Sequence, residues 1–370
     1  MITIRDVAKR LNLSITTVSR ALDGYDDVAE QTRQLVIQAA QEMGYTPNRA
    51  ARQLRRQQAE TIGFILPADM HQIADPFFSE FIAGIGDEAA AHNYDLLVSA
   101  ARPDSADELA AYRRWVQAGK VDGVVISRTR LHDCRIQYLA EQKMPFVSME
   151  RSLDSFEFIG VEVDSYNGFL ELMSYLTGLG HRRIAYIGGW PELKIDHDRF
   201  AGYQAGLASA EIMFDPELVV RKGLTSAGGY SAAEDLLFLK HPPTAMMCIN
   251  DLTAIGAMHA ASDKGLVVGR DLAITGFDGV VDSAHTQPPL TTLEQPVYAV
   301  ARQLVQMLLA QVAGNKLLEK QIKLQPKPLI RASTEGVLSE RPSLRGVVRA
   351  HSRKTLSAWL SSNERLVQTK

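Results

Sequence analysis

Apolar residues recur at helical spacing from the first turn of the chain. Ile4, Val7, Ala8 and Leu11 stand at i, i+3, i+4 and i+7 and lay one apolar stripe along a helix. Thr3 occupies the N-cap position with Asp6 three residues on, a capping-box-like start. Asn12 interrupts, Leu13 turns inward, and Ser14 offers its hydroxyl as the cap of a second helix. There Val18, Ala21 and Leu22 face the first helix, which leaves Ile15, Thr16, Thr17, Ser19 and Arg20 outward. Residues 28–32 open a third helix that runs through Leu35, Val36, Ala39, Ala40 and Met43 and stops at Gly44.

From Thr61 the pattern becomes apolar strands alternating with amphipathic helices. Strands are expected at 62–66, 95–99, 123–127, 146–149 and 159–163, with helices at 77–92, 105–118 and 133–142 between them. A second series follows, with strands at 183–188, 218–220, 245–249 and 272–276 and helices near 166–177, 199–209, 230–239 and 252–264. Each series is of βαβ type, so each predicts a doubly wound parallel sheet, and the two halves imply a bilobed body with a cleft. A helix at 297–312 should cross back and complete the first lobe. The fold class is therefore an all-α helix-turn-helix head-piece followed by an α/β bilobed core.

Net charge is −3 over 370 residues and by itself points to no partner. Its distribution says more. Lys/Arg against Asp/Glu count 9 to 7 in residues 1–60, 24 to 34 in 61–336, and 7 to 2 in 337–370. An acidic core between basic ends suits nucleic-acid contact confined to small basic elements. The two cysteines, Cys134 and Cys248, are far apart without metal-ligand companions, and buried thiols are expected rather than a disulfide or a zinc site. Neither an apolar signal core nor a membrane-length run is present, so the chain is expected in the cytoplasm, with no membrane partner.

The first two helices suit a major groove: Thr and Ser hydroxyls reach phosphates or base edges, and Arg20 has the planar fork that matches guanine. An ordinary helical hairpin with a solvated outer face fits the same pattern. Residues 48–58 carry four arginines and no acid, with Ala50, Ala51 and Leu54 on one helical face. Eleven residues are too few for a stable lone helix; the alternative is a flexible basic linker. In the core, ligands are expected beyond the carboxyl ends of the strands. After the first strand come Asp75, Phe77 and Phe78; at least one aromatic should be core, the other a flat apolar wall. In the second lobe Arg199, Asn250 and Asp278 supply a fork, an amide and a carboxylate, the mixed donors and acceptors that read polyol hydroxyls, although each taken singly also fits a lobe-stabilising ion pair or a turn cap. Asp251 reads as the N-cap of the helix that follows, and His181 as a turn residue rather than a ligand or base. No nucleophile–base pair or metal cluster accompanies these residues by motif, so neither an enzyme nor a cofactor is expected.

The runs I-R-D-V-A, S-x-T-T-V-S-R-A-L, V-A-x-x-T-R and G-Y-x-P-N-R-A-A-R-x-L resemble those of the lactose-repressor (LacI/GalR) family, and the likeness extends to about Glu335. It implies a head-piece at 1–46, a hinge helix or linker at 47–59, and an effector-binding and dimerisation core at 60–336. Lobe 1 is then about 60–163 with 293–325, lobe 2 about 164–292 with 326–336, and a weakly ordered basic extension follows at 337–370. Operator contacts are implied for Thr3, Ser14, Ile15, Thr16, Thr17, Ser19, Arg20, Thr32, Tyr45, Asn48, Arg49, Ala51 and Leu54, the last matching the family's inserted leucine. Effector contacts are implied for Asp75, Phe77, Phe78, Arg199, Asn250 and Asp278. The resemblance thus describes a homodimeric repressor of pseudo-palindromic operator DNA, controlled by a small-molecule effector. Leu193, Lys194 and Ile195 do not reproduce the purine-binding set, which tilts the effector toward a sugar. A purine- or other metabolite-responsive regulator, and a sugar-binding protein without regulatory role, are the alternatives. Two positions depart from the family: Asp75 stands where Asn is common, and Asp23 where Asn is frequent, a carboxylate that repels a nearby phosphate.

Overall fold

The computed structural model describes residues 2–45, 58–67, 75–154, 157 and 159–336, and the chain divides into two compact units, 1–60 and 61–370. Within the first unit lie α1 (Ile4–Leu11), α2 (Ile15–Leu22) and α3 (Glu30–Glu42). The Asp6 carboxylate accepts from the Thr3 N–H (2.8 Å) and the Thr3 hydroxyl (2.7 Å), which ties the first turn of α1. Asn12 ends that helix at φ +53°, a left-handed turn that Asn tolerates better than most residues. Val7, Val18, Ala21, Val36 and Ala39 form the small core between the three helices. Ser19 differs from expectation: it is buried, and its hydroxyl donates to Asp23 (3.3 Å). It stands one position beyond Val18, inside the arc of α2 that the other helices cover.

Ser14 Oγ accepts from the Thr17 N–H (3.0 Å). In so small a core one cap is a sizeable share of stability, and Ser14→Ala should cost about 1 kcal/mol. Hydrogen exchange of the α2 amides should then quicken roughly fivefold. Unchanged exchange in that variant would show that the cap contributes nothing.

The second unit holds two all-parallel sheets. In the first lobe β1 (Thr61–Pro67), β2 (Asp95–Ala101), β3 (Gly123–Ile126), β4 (Phe146–Ser148), β5 (Gly160–Val163) and β11 (Gln321–Leu324) lie in the order β11-β5-β4-β3-β1-β2. Its helices are α4 (Pro76–Ala91), α5 (Ala106–Gln117), α6 (Cys134–Glu141) and the returning α11 (Val297–Val312). In the second lobe β6 (Ile184–Gly188), β7 (Val219–Arg221), β8 (Ala245–Cys248) and β9 (Ala273–Thr275) run in the order β7-β6-β8-β9. Around them lie α7 (Ser165–Gly178), α8 (Lys194–Ser209), α9 (Ser226–Leu237) and α10 (Asp251–Asp263). A two-stranded antiparallel pair, β10 (Thr292–Glu294) with β12 (Lys327–Leu329), accompanies the return crossing.

Several details differ from the sequence expectation. Strands β10 to β12 were not foreseen. In β11 the four residues Gln321–Leu324 only alternate between exposed and half-buried, a weak local signal for an edge strand. Helix α9 begins at Ser226, where Gly228 and Gly229 argue locally against a helix. A Cβ at Gly229 would stand 2.0 Å from the Thr253 carbonyl oxygen, and one at Gly256 would stand 1.9 Å from that of Ser226. The close approach of α9 and α10 therefore requires glycine at both crossings. Cys248 is buried as expected, but Cys134 is exposed because it opens α6 on the solvent side.

The two lobes are also joined by their main chains. The Leu131 N–H donates to the Glu192 carbonyl (2.8 Å) and the Lys194 N–H to that of Thr129 (2.9 Å), with Arg130 and Leu193 bridged antiparallel between them.

Candidate functional site

Beyond the carboxyl ends of both sheets lies a cleft of about 330 Å³. Helix α8 begins at Lys194, five residues before the expected start, and so carries both Lys194 and Arg199 to the cleft. Arg199 is 2% exposed. Its Nη1 donates to the Ile249 carbonyl, Nε donates to the Ser165 hydroxyl (3.3 Å), and Nη2 lies 3.8 Å from Asp278 Oδ1. The guanidinium stacks on Phe277 at 3.7 Å from the ring centre.

Asp278 has φ +121°, a backbone conformation that an L residue holds only when its surroundings enforce it. They do. Its N–H donates to the Leu293 carbonyl (2.8 Å), its carbonyl accepts from the Gln295 N–H (3.0 Å), and Oδ1 accepts from Gln295 Nε2 (2.6 Å). The residue is thereby clamped to the segment that returns to the first lobe. Burial pushes its carboxyl well above the usual range, Arg199 opposes the shift, and the nearby carboxylates of Asp251 and Asp75 add to it.

Asn250 and Asp75 line the cleft as end-caps of helices. Asn250 Oδ1 accepts from the Thr253 N–H (2.9 Å), and Nδ2 donates to the Leu224 carbonyl (3.1 Å). The N-cap of α10 is therefore Asn250 and not Asp251, a correction to the sequence expectation. Asp251 lies one position inside the helix, where it accepts from the Val280 N–H (2.9 Å) and the Thr292 hydroxyl (2.5 Å). Burial pushes its carboxyl up to about 6. Asp75 caps α4 through the Phe77 N–H (3.1 Å) and pairs with Arg128 Nη2 (2.9 Å). Phe77 faces the cleft, stacked on Phe81 at 5.8 Å, while Phe78 turns into the core beneath the Arg128 guanidinium at 4.7 Å. Phe78 therefore presents no surface to a ligand; its neighbour is the aromatic wall.

Sequence reasoning missed Arg128, Glu150 and Asp164, which follow β3, β4 and β5. The rule that ligands lie beyond strand ends, applied to every strand of the first lobe, points to all three. Glu150 accepts from the Thr129 N–H (3.2 Å), and its setting raises it to about 7, burial being the chief cause. His181 stays a turn residue: Nδ1 meets the Thr244 hydroxyl at 2.9 Å, and burial lowers it to about 4.

In the helical unit Ile15 and Thr16 are exposed on the outer face of α2, Thr3 is exposed before α1, and Thr17, Thr32 and Tyr45 are half-buried. Arg20 is engaged within its own unit: Nε donates to Asp27 (3.1 Å), and the guanidinium lies over the Tyr25 ring at 4.8 Å. Asn48, Arg49, Ala51 and Leu54, with the expected hinge helix and the 337–370 extension, lie outside the described residues.

Residues 3–48 match the model of bacterial regulatory proteins of the lacI family, and residues 173–334 match that of the periplasmic binding protein-like domain. The chain is 35% identical over 338 residues to the HTH-type transcriptional repressor CytR of Escherichia coli, a match covering 90% of this chain and 97% of that one. It is 33% identical to the regulator AglR of Rhizobium meliloti, covering 90% and 94%. Among solved structures, the lac repressor dimer bound to operator and the anti-inducer ONPF is similar, with TM-score 0.77, 26% identity and coverage of 90% and 99%. The CelR–cellobiose complex gives TM-score 0.70 at 26% identity, covering 90% and 100%.

Proposed function

The chain belongs to the LacI family of bacterial regulatory proteins, and from that premise we propose a cytoplasmic, homodimeric repressor whose effector is a carbohydrate. It is a sequence-specific DNA-binding transcriptional regulator with an effector-binding core. The observation that carries the carbohydrate reading is the cleft itself, in which a flat aromatic face (Phe77) stands with carboxylates and a buried arginine fork. Sugars offer such a site both an apolar ring face and hydroxyls. The ligand in the similar CelR structure is cellobiose, which supports the same choice. We read the cleft as a place of binding and not of turnover.

Two head-pieces of a dimer meet two half-sites, so the operator is a pseudo-palindrome. An effector acts only through unequal affinity for two lobe arrangements. Asp278 is suited to sense it, being fixed both to Arg199 and to the return crossing. Selecting duplexes from a random pool with the full chain should return a two-fold symmetric consensus. Arg20→Ala should then weaken binding to that consensus by roughly 10- to 100-fold and leave non-specific binding nearly unchanged. Binding that ignores sequence in the wild-type chain would sink the regulator reading.

A further inference from the structure

The cleft is already supplied with negative charge by the chain itself. Helices α4, α7, α8 and α10 all begin at it, and helix N-termini are ready anion sites. Three of those ends are occupied: Asp75 accepts from the Phe77 N–H, Asp164 from the Asn167 N–H (3.2 Å), and Asn250 from the Thr253 N–H. At the fourth, the Lys194 N–H is spent on the Thr129 carbonyl.

The cations of the wall are spent as well. Among the described residues Arg128 pairs with Asp75 (2.9 Å), Lys194 with Asp198, Lys323 with Asp164 (3.1 Å) and Arg199 with Asp278 (3.8 Å). Two carboxylates of the wall, Glu150 and Glu162, have no cation within ion-pair distance among the described residues. Glu150 receives one N–H, from Thr129, at one of its two oxygens, and Glu162 one, from Arg151 (3.1 Å). A phosphate or carboxylate entering here would meet unpaired carboxylates and no unpaired cation.

Building on the carbohydrate reading above, we propose that the cleft selects an uncharged polyhydroxy ligand and rejects its phosphorylated or acidic counterparts. In this site Glu150 is a specificity-determining acceptor. Neutral hydroxyls both donate to and accept from the open oxygens of Glu150 and Asp278, whatever proton those carboxyls carry, whereas an anion must be desolvated here with no unpaired cation among the described residues of the wall to offset that cost. Burial is the chief cause of the raised Glu150 pKa, and the Thr129 N–H and the charge of Arg199 offset it only in part.

Calorimetric titration of the full chain with matched probes tests this: glucose, galactose and cellobiose, each against its 6-phosphate, and the two hexoses also against their uronates. The neutral member of at least one set should bind tenfold or more tightly than its anionic partners. Glu150→Gln should shrink that ratio at least threefold by improving the anion; if that variant does not fold, Glu162→Gln serves the same comparison. An anionic member binding as well as or better than its neutral partner overturns the charge rule and leaves the carbohydrate reading standing. Silence from every probe overturns the carbohydrate reading, and the charge rule with it.

Discussion

Arg199→Ala is expected to abolish measurable effector binding and to lower the unfolding free energy of the core unit by about 3–5 kcal/mol. Both effects come from one geometry. The guanidinium is almost fully buried, stacked on Phe277, and holds the Ile249 carbonyl, the Ser165 hydroxyl and the Asp278 carboxylate in fixed relation. Alanine leaves a cavity against the ring, a carbonyl without its donor, and a buried carboxyl without its countercharge. Arg199→Lys is the informative control. It keeps the charge but not the planar fork, so it should recover part of the stability and little of the binding. Denaturant melts and calorimetry on the same samples separate the two. A stable alanine variant that still binds its effector would mean that Arg199 is scaffold only.

The second large effect is expected in the first lobe, away from any ligand. Arg135 is 1% exposed. It donates to Asp133 through Nε (2.9 Å) and Nη2 (2.6 Å), to Glu108 through Nη1 (3.3 Å), and to the Arg128 carbonyl through Nη2 (3.0 Å). Arg135→Ala takes the bidentate partner from Asp133 and one donor from Glu108; Glu108 keeps Arg130 at 2.7 Å, and among the described residues the only cation Asp133 keeps is the more distant Arg130 Nη1 at 4.0 Å. A loss of about 3–5 kcal/mol follows.

Acid sensitivity should change too. Burial alone would raise Asp133, but Arg135 outweighs it and holds the carboxyl at about 2, below its ordinary 3.8. A depressed folded-state pKa stabilises the fold above pH 3.8, and that contribution is lost as pH falls toward 2. Without Arg135 the largest part of the contribution goes and only the Arg130 N–H and charge still favour the carboxylate, so the variant should unfold at a higher pH than the wild type during acid titration monitored by circular dichroism. Coincident acid transitions would refute this account of the network. Because Arg135 also grips the Arg128 carbonyl, the variant loosens the loop that brings Arg128 to Asp75.

What the sequence discloses follows from how local the cause is. The caps at Thr3 and Ser14, the turn at Asn12 and the whole of α11 are written in neighbouring residues, and pattern finds them. Strand β11 is not, because its partner β5 lies some 160 residues earlier and only that pairing makes four alternating residues a strand. Among site residues, Arg199, Asn250 and Asp278 are found by type and by their place after strands. Their state is hidden: Asn250 looks like a free amide in sequence, and the fold spends both its ends on backbone groups. Ser19 looks outward-facing by spacing and is covered by α2's neighbours. Glu150 was overlooked for a different reason. It carries no motif; its place after β4 is its one sign in the sequence, and its lack of an ion-pair partner among the described residues shows only in three dimensions.

The main-chain bridge between 129–131 and 192–194 bears on how such a cleft changes over generations. Its donors and acceptors are peptide groups, which every residue but proline supplies in full. Exchanging the side chains of Leu131, Glu192 or Lys194 therefore leaves the joint between the lobes intact. Lys194 and its neighbours are then free to vary with the ligand, and descendants of this chain inherit the joint while renewing the side chains beside it.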